Sequence, residues 1–218
     1  MMDSKEFDLW SEEYEKSVQK SSKGYPFEGY YNAINSIYNS IQNKNTSRIL
    51  DLGIGTGILT KQLYQDEATI TGVDFSEKMI AKAKVKMPKA SLLIWDLRNG
   101  LPLVLESEKF DYIVSSYALH HLTDKTKIDL IQQSMQSLSS GGKILIADIA
   151  FATSEDLKHC KEQSIDEWDD EEFYMIAEIL IPKIEQLSLQ VNYKSISFCA
   201  GILEISRGKM EARSLDDE

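Results

Sequence analysis

The sequence predicts an α/β protein, a mostly parallel β-sheet with helices on both faces, and three observations carry that prediction. Ser47 to Gly57 is a short apolar run that ends in an acid, breaks into three alternating glycines and leads into a helical pattern. A second apolar strand, Thr69 to Asp74, ends about 20 residues beyond the first glycine, the spacing of a nucleotide-binding βαβ unit. Strand-like and helix-like stretches then keep alternating as far as Ala150.

Composition narrows the class further. A chain of 218 residues suits one domain with a small appended lid, and 42% hydrophobic residues suit a globular core. No apolar run approaches the ~20 residues of a membrane span, and the start Met1-Met-Asp-Ser-Lys-Glu lacks the basic and apolar regions of a signal peptide. A cytoplasmic protein is expected, with Cys160 and Cys199 as buried or idle thiols, because they lie far apart without metal-ligand spacing. The formal charge of −11, from 24 Lys+Arg against 35 Asp+Glu, should repel phosphate backbones. A small molecule is therefore the expected partner, not nucleic acid and not a membrane.

Taken in order, the chain opens with two helical patterns. Phe7, Trp10, Tyr14 and Val18 fall on one stripe between Asp3 and Lys20, and Tyr30, Ile34, Ile37 and Ile41 on another between Phe27 and Gln42. Residues 1–45 are thus expected as helices that pad the sheet or fold over a ligand, with Trp10 and Tyr14 as candidate contacts. After the first strand, a helix from about Thr56 to Gln65 buries Leu59 and Leu63. After the second, Ser76 is a natural N-cap for a helix to about Lys86 that stops before Pro88. Strand three, Ser91 to Asp96, again ends in an acid, and strand four spans Phe110 to Ser116. Thr123 or Asp124 can cap the next helix, whose Ile128, Ile131, Met135 and Leu138 share a face and which Gly141-Gly142 is expected to end. Lys143 to Ala150, nearly continuous in apolar residues, reads as a central buried strand.

Beyond Phe151 the alternation lapses, and residues 151–180 are expected to form a lid or connecting segment. The acidic run Asp166 to Glu172 has two readings: it favours the N-terminus of a helix from about Glu171 to Leu189, or it rims the site and attracts a cationic amine. Asn192 to Phe198 and Gly201 to Arg207 form a terminal hairpin, so one edge strand should run antiparallel. The main domain is expected to close near residue 209, and 210–218 to be a disordered tail.

In an open parallel sheet, ligands bind outside the carboxyl ends of the strands, so Asp51, Asp74 and Asp96 should project toward one crevice, although each alone could cap the helix after it. Gly53, Gly55 and Gly57 let a ligand touch bare backbone. Asp74 can accept hydrogen bonds from ribose hydroxyls, whereas Asp51 beside the glycine bend would repel a pyrophosphate. The expected ligand carries a ribose, lacks a pyrophosphate and can place a cationic amine near Asp51.

Asp51-Leu-Gly-Ile-Gly-Thr-Gly57, with Asp74 at its distance, resembles the class I S-adenosylmethionine (SAM) methyltransferases. The phrases Ser115-Ser-Tyr-Ala-Leu-His-His-Leu-Thr-Asp124 and Gly142-Lys-Ile-Leu-Ile-Ala-Asp148 are most similar to small uncharacterised bacterial methyltransferases of the YrrT type. The resemblance implies a Rossmann-like, seven-stranded sheet of order 3-2-1-4-5-7-6 and a SAM-binding domain over residues 46–209. It also implies that the glycine loop with Gly57 binds the cofactor, that the backbone around Gly53 and Gly55 touches the methionine part of SAM and that Asp74 binds the ribose. Asp96 and Leu97 would meet the adenine with Phe75 beside the ring, Asp51 would orient the amino group, Ser115 or Ser116 would offer a backbone carbonyl, and Tyr14 would close over the site.

Methyl transfer from a sulfonium is an in-line displacement with a neutral leaving group, so positioning supplies most of the effect. A base is needed only for an acceptor that must lose a proton, and His120 and His121, after strand four, are the candidates. Adjacent residues diverge, so one of the two is expected to face the site. Two other readings stay open: an NAD-linked oxidoreductase built on the same βαβ start, and a non-catalytic SAM-binding sensor or partner protein.

Overall fold

The structure, a computed structural model, describes residues 24–208; the predicted first helix with Trp10 and Tyr14, and the tail 210–218, lie outside the described residues. In chain order the elements are α1 (Tyr30–Ser40), β1 (Arg48–Leu52), α2 (Ile58–Gln65), β2 (Thr69–Asp74), α3 (Glu77–Lys86), β3 (Ser91–Ile94) and a short α4 (Leu103–Glu106). There follow β4 (Phe110–Ser116), α5 (Asp124–Gln136), β5 (Leu138–Phe151), α6 (Ser154–Gln163), the two-residue β6 (Met175–Ile176), α7 (Ala177–Glu185), β7 (Leu189–Ser195) and β8 (Ala200–Arg207).

The sheet runs β3-β2-β1-β4-β5-β8-β7, with β6 pairing off this path on β5. Setting aside β6, this is the expected 3-2-1-4-5-7-6 order. Ile49 sits between Ile70 and Tyr112 in parallel register, while Ile146 opposes Leu203 in the antiparallel pair that joins the terminal hairpin to β5. β7 returns through α7 to run in the direction of β5, and β8 folds back on it by a short turn and fills the place between them, so the antiparallel strand is not the expected edge strand but the one next to it.

Side chains alternate across a strand, and in the central strands both sets are apolar, so each face of the sheet builds its own core. Ile49, Val114, Leu145, Ala147 and Ile202 point into a cluster with α1, α2 and α3, through Ile34, Ile37, Leu59, Leu63 and Ala83. Leu50, Ile113, Ile144, Ile146 and Leu203 point into the other, with Leu130 and Ile131 of α5 and Leu180 and Ile184 of α7. Ser76 caps α3 by accepting from the Met79 amide at 3.2 Å, and Thr123 caps α5 by accepting from that of Thr126.

Two further expectations need correction. Gly141-Gly142 does not end a helix: α5 stops at Gln136, and the glycines lie within β5, where pairing with β4 is irregular. A Cβ on Gly142 would come within 2.8 Å of the Asp111 carbonyl, so the strand can pass only as glycine. The helix expected from about Glu171 begins instead at Ala177. Residues 172–176 are drawn out of the helix, since the Phe173 amide donates to the His120 carbonyl at 2.7 Å and Met175 and Ile176 pair with the end of β5.

Candidate active site

Strand β1 leads to β2 on one side of it, and β4, its other neighbour, leads on to β5, so a crevice opens at the carboxyl ends of β1 and β4. The glycine bend fills its floor, and its three glycines have different reasons to be glycine. All have positive φ, 77° at Gly53, 53° at Gly55 and 78° at Gly57. A Cβ on Gly53 would meet that of Ala118 at 2.3 Å, and one on Gly57 would meet the Met87 methyl at 2.5 Å; one on Gly55 would meet nothing within 4 Å. Gly53 and Gly55 line the cleft, and Gly57 packs behind it.

The three strand-end acids divide in the same way. Asp74 lines the cleft, and its carboxylate braces the bend by accepting from the Gly55 amide at 2.8 Å and the Ser76 amide at 2.9 Å. Asp96 also lines it and caps the turn at Leu97–Asn99, accepting from the Arg98 amide at 2.9 Å and pairing with its guanidinium at 2.6 Å. Partial burial would raise the Asp96 pKa, but the Arg98 contacts outweigh it and hold the carboxyl below its ordinary value. Asp51 is not among the lining residues: it is sealed under the bend, with Oδ2 accepting from the Thr60 hydroxyl at 3.1 Å. Its Oδ1 is buried with no hydrogen-bond partner, and burial pushes its pKa up to about 7 against the Thr60 hydrogen bond, with the nearby Asp74 charge adding to the rise.

Phe75 and Leu97 line the cleft, as expected. Ser115 does not, since its hydroxyl is turned into the sheet and donates to the Leu52 carbonyl at 2.7 Å; its neighbour Ser116 takes the lining position. The opposite wall is aromatic. Phe27, before α1, and Tyr30, its first residue, pack on Tyr117 at ring distances of 6.3 and 4.4 Å, and Tyr25 lines the cleft beside them, stacked on Trp168. Tyr174, from the segment before β6, bonds hydroxyl to hydroxyl with Tyr25 at 2.6 Å.

Both histidines line the cleft, contrary to the expectation that only one would. They lie on the single 3₁₀ turn Leu119–His121 and their rings are 4.1 Å apart at 57°. Asp148, fully buried in β5 just past its pairing with β4, accepts from the amides of Leu119 and His120 and sits 2.5 Å from His120 Nδ1. That anchor draws the turn inward. Burial would lower the His120 pKa, but Asp148, aided by Glu172, raises it above the ordinary histidine value. His121 Nδ1 is 2.8 Å from the Glu172 carboxylate, yet burial and then the neighbouring His120 charge keep its pKa below that value.

Asp148, Glu172, Tyr25 and Tyr174 are therefore part of the site without having been singled out individually. Asp148 lies within β5, one residue past its last pairing with β4, and an acid inside an apolar strand was a signal that was available. Glu172 lay within the acidic run, but a long-range contact to the histidine turn has no local signature. The helix-capping reading of that run does not hold, since it precedes α7 without capping it; Asp170 pairs with Lys161, and Glu167, Asp169 and Glu172 line the cleft, where the rim reading puts them.

The cleft encloses about 290 Å³, room for a small-molecule ligand. Residues 49–142 match the family model described as a methyltransferase domain. An uncharacterised methyltransferase of Anoxybacillus flavithermus is 37% identical over 151 residues, 68% of each chain. One from Geobacillus sp. (strain WCH70) is 30% identical over 207 residues, 91% of this chain and 94% of its own. In fold, the chain is similar to that of the DhpI–SAH complex, with a TM-score of 0.71 at 15% identity over 95% of this chain and 96% of that one.

Proposed function

This chain belongs to the methyltransferase family, and we propose that its cleft holds SAM and serves methyl transfer to a small-molecule acceptor. The observation that carries this reading is the pairing of an open glycine with an unsatisfied acid: bare backbone at Gly55 faces free space, and Asp51 Oδ1 is buried without a partner. Burying a carboxylate oxygen unpaired is costly, and a ligand's ammonium group held on the bend above would stabilise its negative charge electrostatically across the loop. The structural neighbour in the DhpI–SAH complex supports the same ligand class.

When bound, SAM supplies a methyl group on a positively charged sulfur. This chain's residues bind and orient it. We assign Asp74 to the ribose hydroxyls, Phe75, Asp96 and Leu97 to the adenine, Gly53 and Gly55 to the methionine backbone, and Asp51 to its ammonium group through the bend. Ser116 replaces Ser115 as the lining residue in this scheme, and Gly57 serves only the packing of the loop. The aromatic wall of Tyr25, Phe27, Tyr30 and Tyr117 excludes water, which favours transfer to the acceptor over solvolysis. His120 and His121 take the acceptor side and deal with its proton where it has one.

The net charge of −11 supports a small-molecule acceptor over nucleic acid, and the two free, buried cysteines agree with a cytoplasmic location. Among the described residues, no helix is long and apolar enough to cross a membrane. Calorimetric titration with SAM, S-adenosylhomocysteine and NAD tests the assignment. SAM and S-adenosylhomocysteine should bind with one site each and NAD far more weakly. Asp74→Ala should weaken both by about tenfold or more, the worth of a charge-assisted hydrogen bond. Preferential binding of NAD would overturn the reading.

A further inference from the structure

We propose that His120, His121 and Glu172 form a site for a divalent transition metal at the acceptor end of the cleft. One ligand atom from each side chain lies within 4.8 Å of the other two, and among the described residues this is where such a group occurs. All three line the same cleft.

The surroundings are those of a prepared site. A metal-binding histidine usually directs its second ring nitrogen to a carboxylate or carbonyl, which fixes the tautomer and orients the ring. His120 does this: Nδ1 is held by Asp148, itself immobilised by three backbone amides, and Nε2 remains as the ligand atom. Glu172 is brought from a distant segment by the bond from the Phe173 amide to the His120 carbonyl, so the acid and the histidine turn share one backbone clamp. The nearby Lys127 ammonium is committed to the Phe173 carbonyl and to Asp124.

Bonds of about 2.0–2.2 Å place neighbouring ligand atoms roughly 3–3.5 Å apart, so side-chain rotations of an ångström or so close the triangle. Two imidazoles and one carboxylate suit Zn²⁺, Mn²⁺ or Fe²⁺, not Mg²⁺ or Ca²⁺, which prefer oxygen. Three protein ligands leave positions open for an acceptor, and the class that fits is one with a hydroxyl or a pair of oxygen donors. The two histidines would then act on the acceptor's proton through the metal and not as free bases: the metal would stabilise the oxyanion, and the hydroxyl's proton would leave to solvent.

The position of this metal beside the methyl group rests on the SAM reading; its existence does not. The test is equilibrium dialysis of the chelator-stripped full chain, without SAM, against Zn²⁺, Mn²⁺ and Mg²⁺, with bound metal measured by elemental analysis. One equivalent of Zn²⁺ or Mn²⁺ is expected at concentrations where Mg²⁺ does not bind. Both His121→Ala and Glu172→Gln should lose it, Asp148→Asn should weaken it 10–100-fold, and His159→Gln should retain it. Circular dichroism and S-adenosylhomocysteine binding of each variant show that the chain is folded. Absence of stoichiometric binding, or binding that survives in a folded Glu172→Gln variant, overturns the proposal. Metal retained without S-adenosylhomocysteine binding would instead contradict the cofactor reading alone.

Discussion

Asp51 concentrates the energetics of the site in one side chain. Its pKa of about 7 in the folded chain stands above the ordinary 3.8, so between those values the folded state holds a proton that the unfolded state releases. Its contribution to stability is therefore complete below about pH 4 and is lost as pH rises through 7. Asp51→Asn removes this dependence. Urea unfolding at pH 4.5 and pH 8 should show the variant gaining on the wild type with rising pH, by a few kcal/mol at about 1.4 kcal/mol per pKa unit; a difference independent of pH would show that Asp51 is not destabilised by burial. The same substitution should weaken SAM binding above pH 7, where the wild type offers a full negative charge. From sequence, the acid and its neighbouring glycines were legible as a ligand loop. That Gly57 serves Met87 and Gly53 serves Ala118 was not, because those contacts come from other segments.

At the scale of elements, the stretch between α6 and α7 decides what the site contains. It carries Glu172 and Tyr174 to the cleft, and its anchor is Lys127 on α5, whose almost fully buried ammonium donates to the Phe173 carbonyl. Lys127→Met should keep the helix stem packed but release this carbonyl. Hydrogen exchange should then quicken at the Phe173 and Tyr174 amides while β1 and β4 keep their protection; unchanged protection at Phe173 would assign the anchoring to the β6 pairing instead. Helix periodicity could not reveal this arrangement. The apolar residues from Tyr174 to Ile184 fit a helix locally, and only pairing with β5 and the clamp on His120 draw the first few out of it. By contrast, Ser76 and Thr123 announced their helices because a cap is a local interaction.

For the whole molecule, the sequence carried the topology because each central strand is apolar on both faces and each crossover between parallel strands carries a helix. The antiparallel hairpin followed from its short turn. The meeting of two distant segments, Tyr25–Tyr30 and 164–176, at the cleft was beyond local pattern: the N-terminal stretch was expected to pad the sheet or fold over a ligand, but through Trp10 and Tyr14, and it is Tyr25, Phe27 and Tyr30 that line the cleft. The architecture thus divides the lining of one cleft between bare backbone and two acids at or just after the ends of β1, β2 and β3, and two histidines and Glu172 from the stretches after β4 and before β6. The most direct test of that division is a crystal structure with S-adenosylhomocysteine. The account predicts ribose hydroxyls on Asp74, adenine beside Phe75 and Leu97, and the thioether sulfur facing His120, His121 and Glu172. Adenosine bound away from the Gly53–Gly55 bend, or a sulfur turned from the histidines, would contradict it.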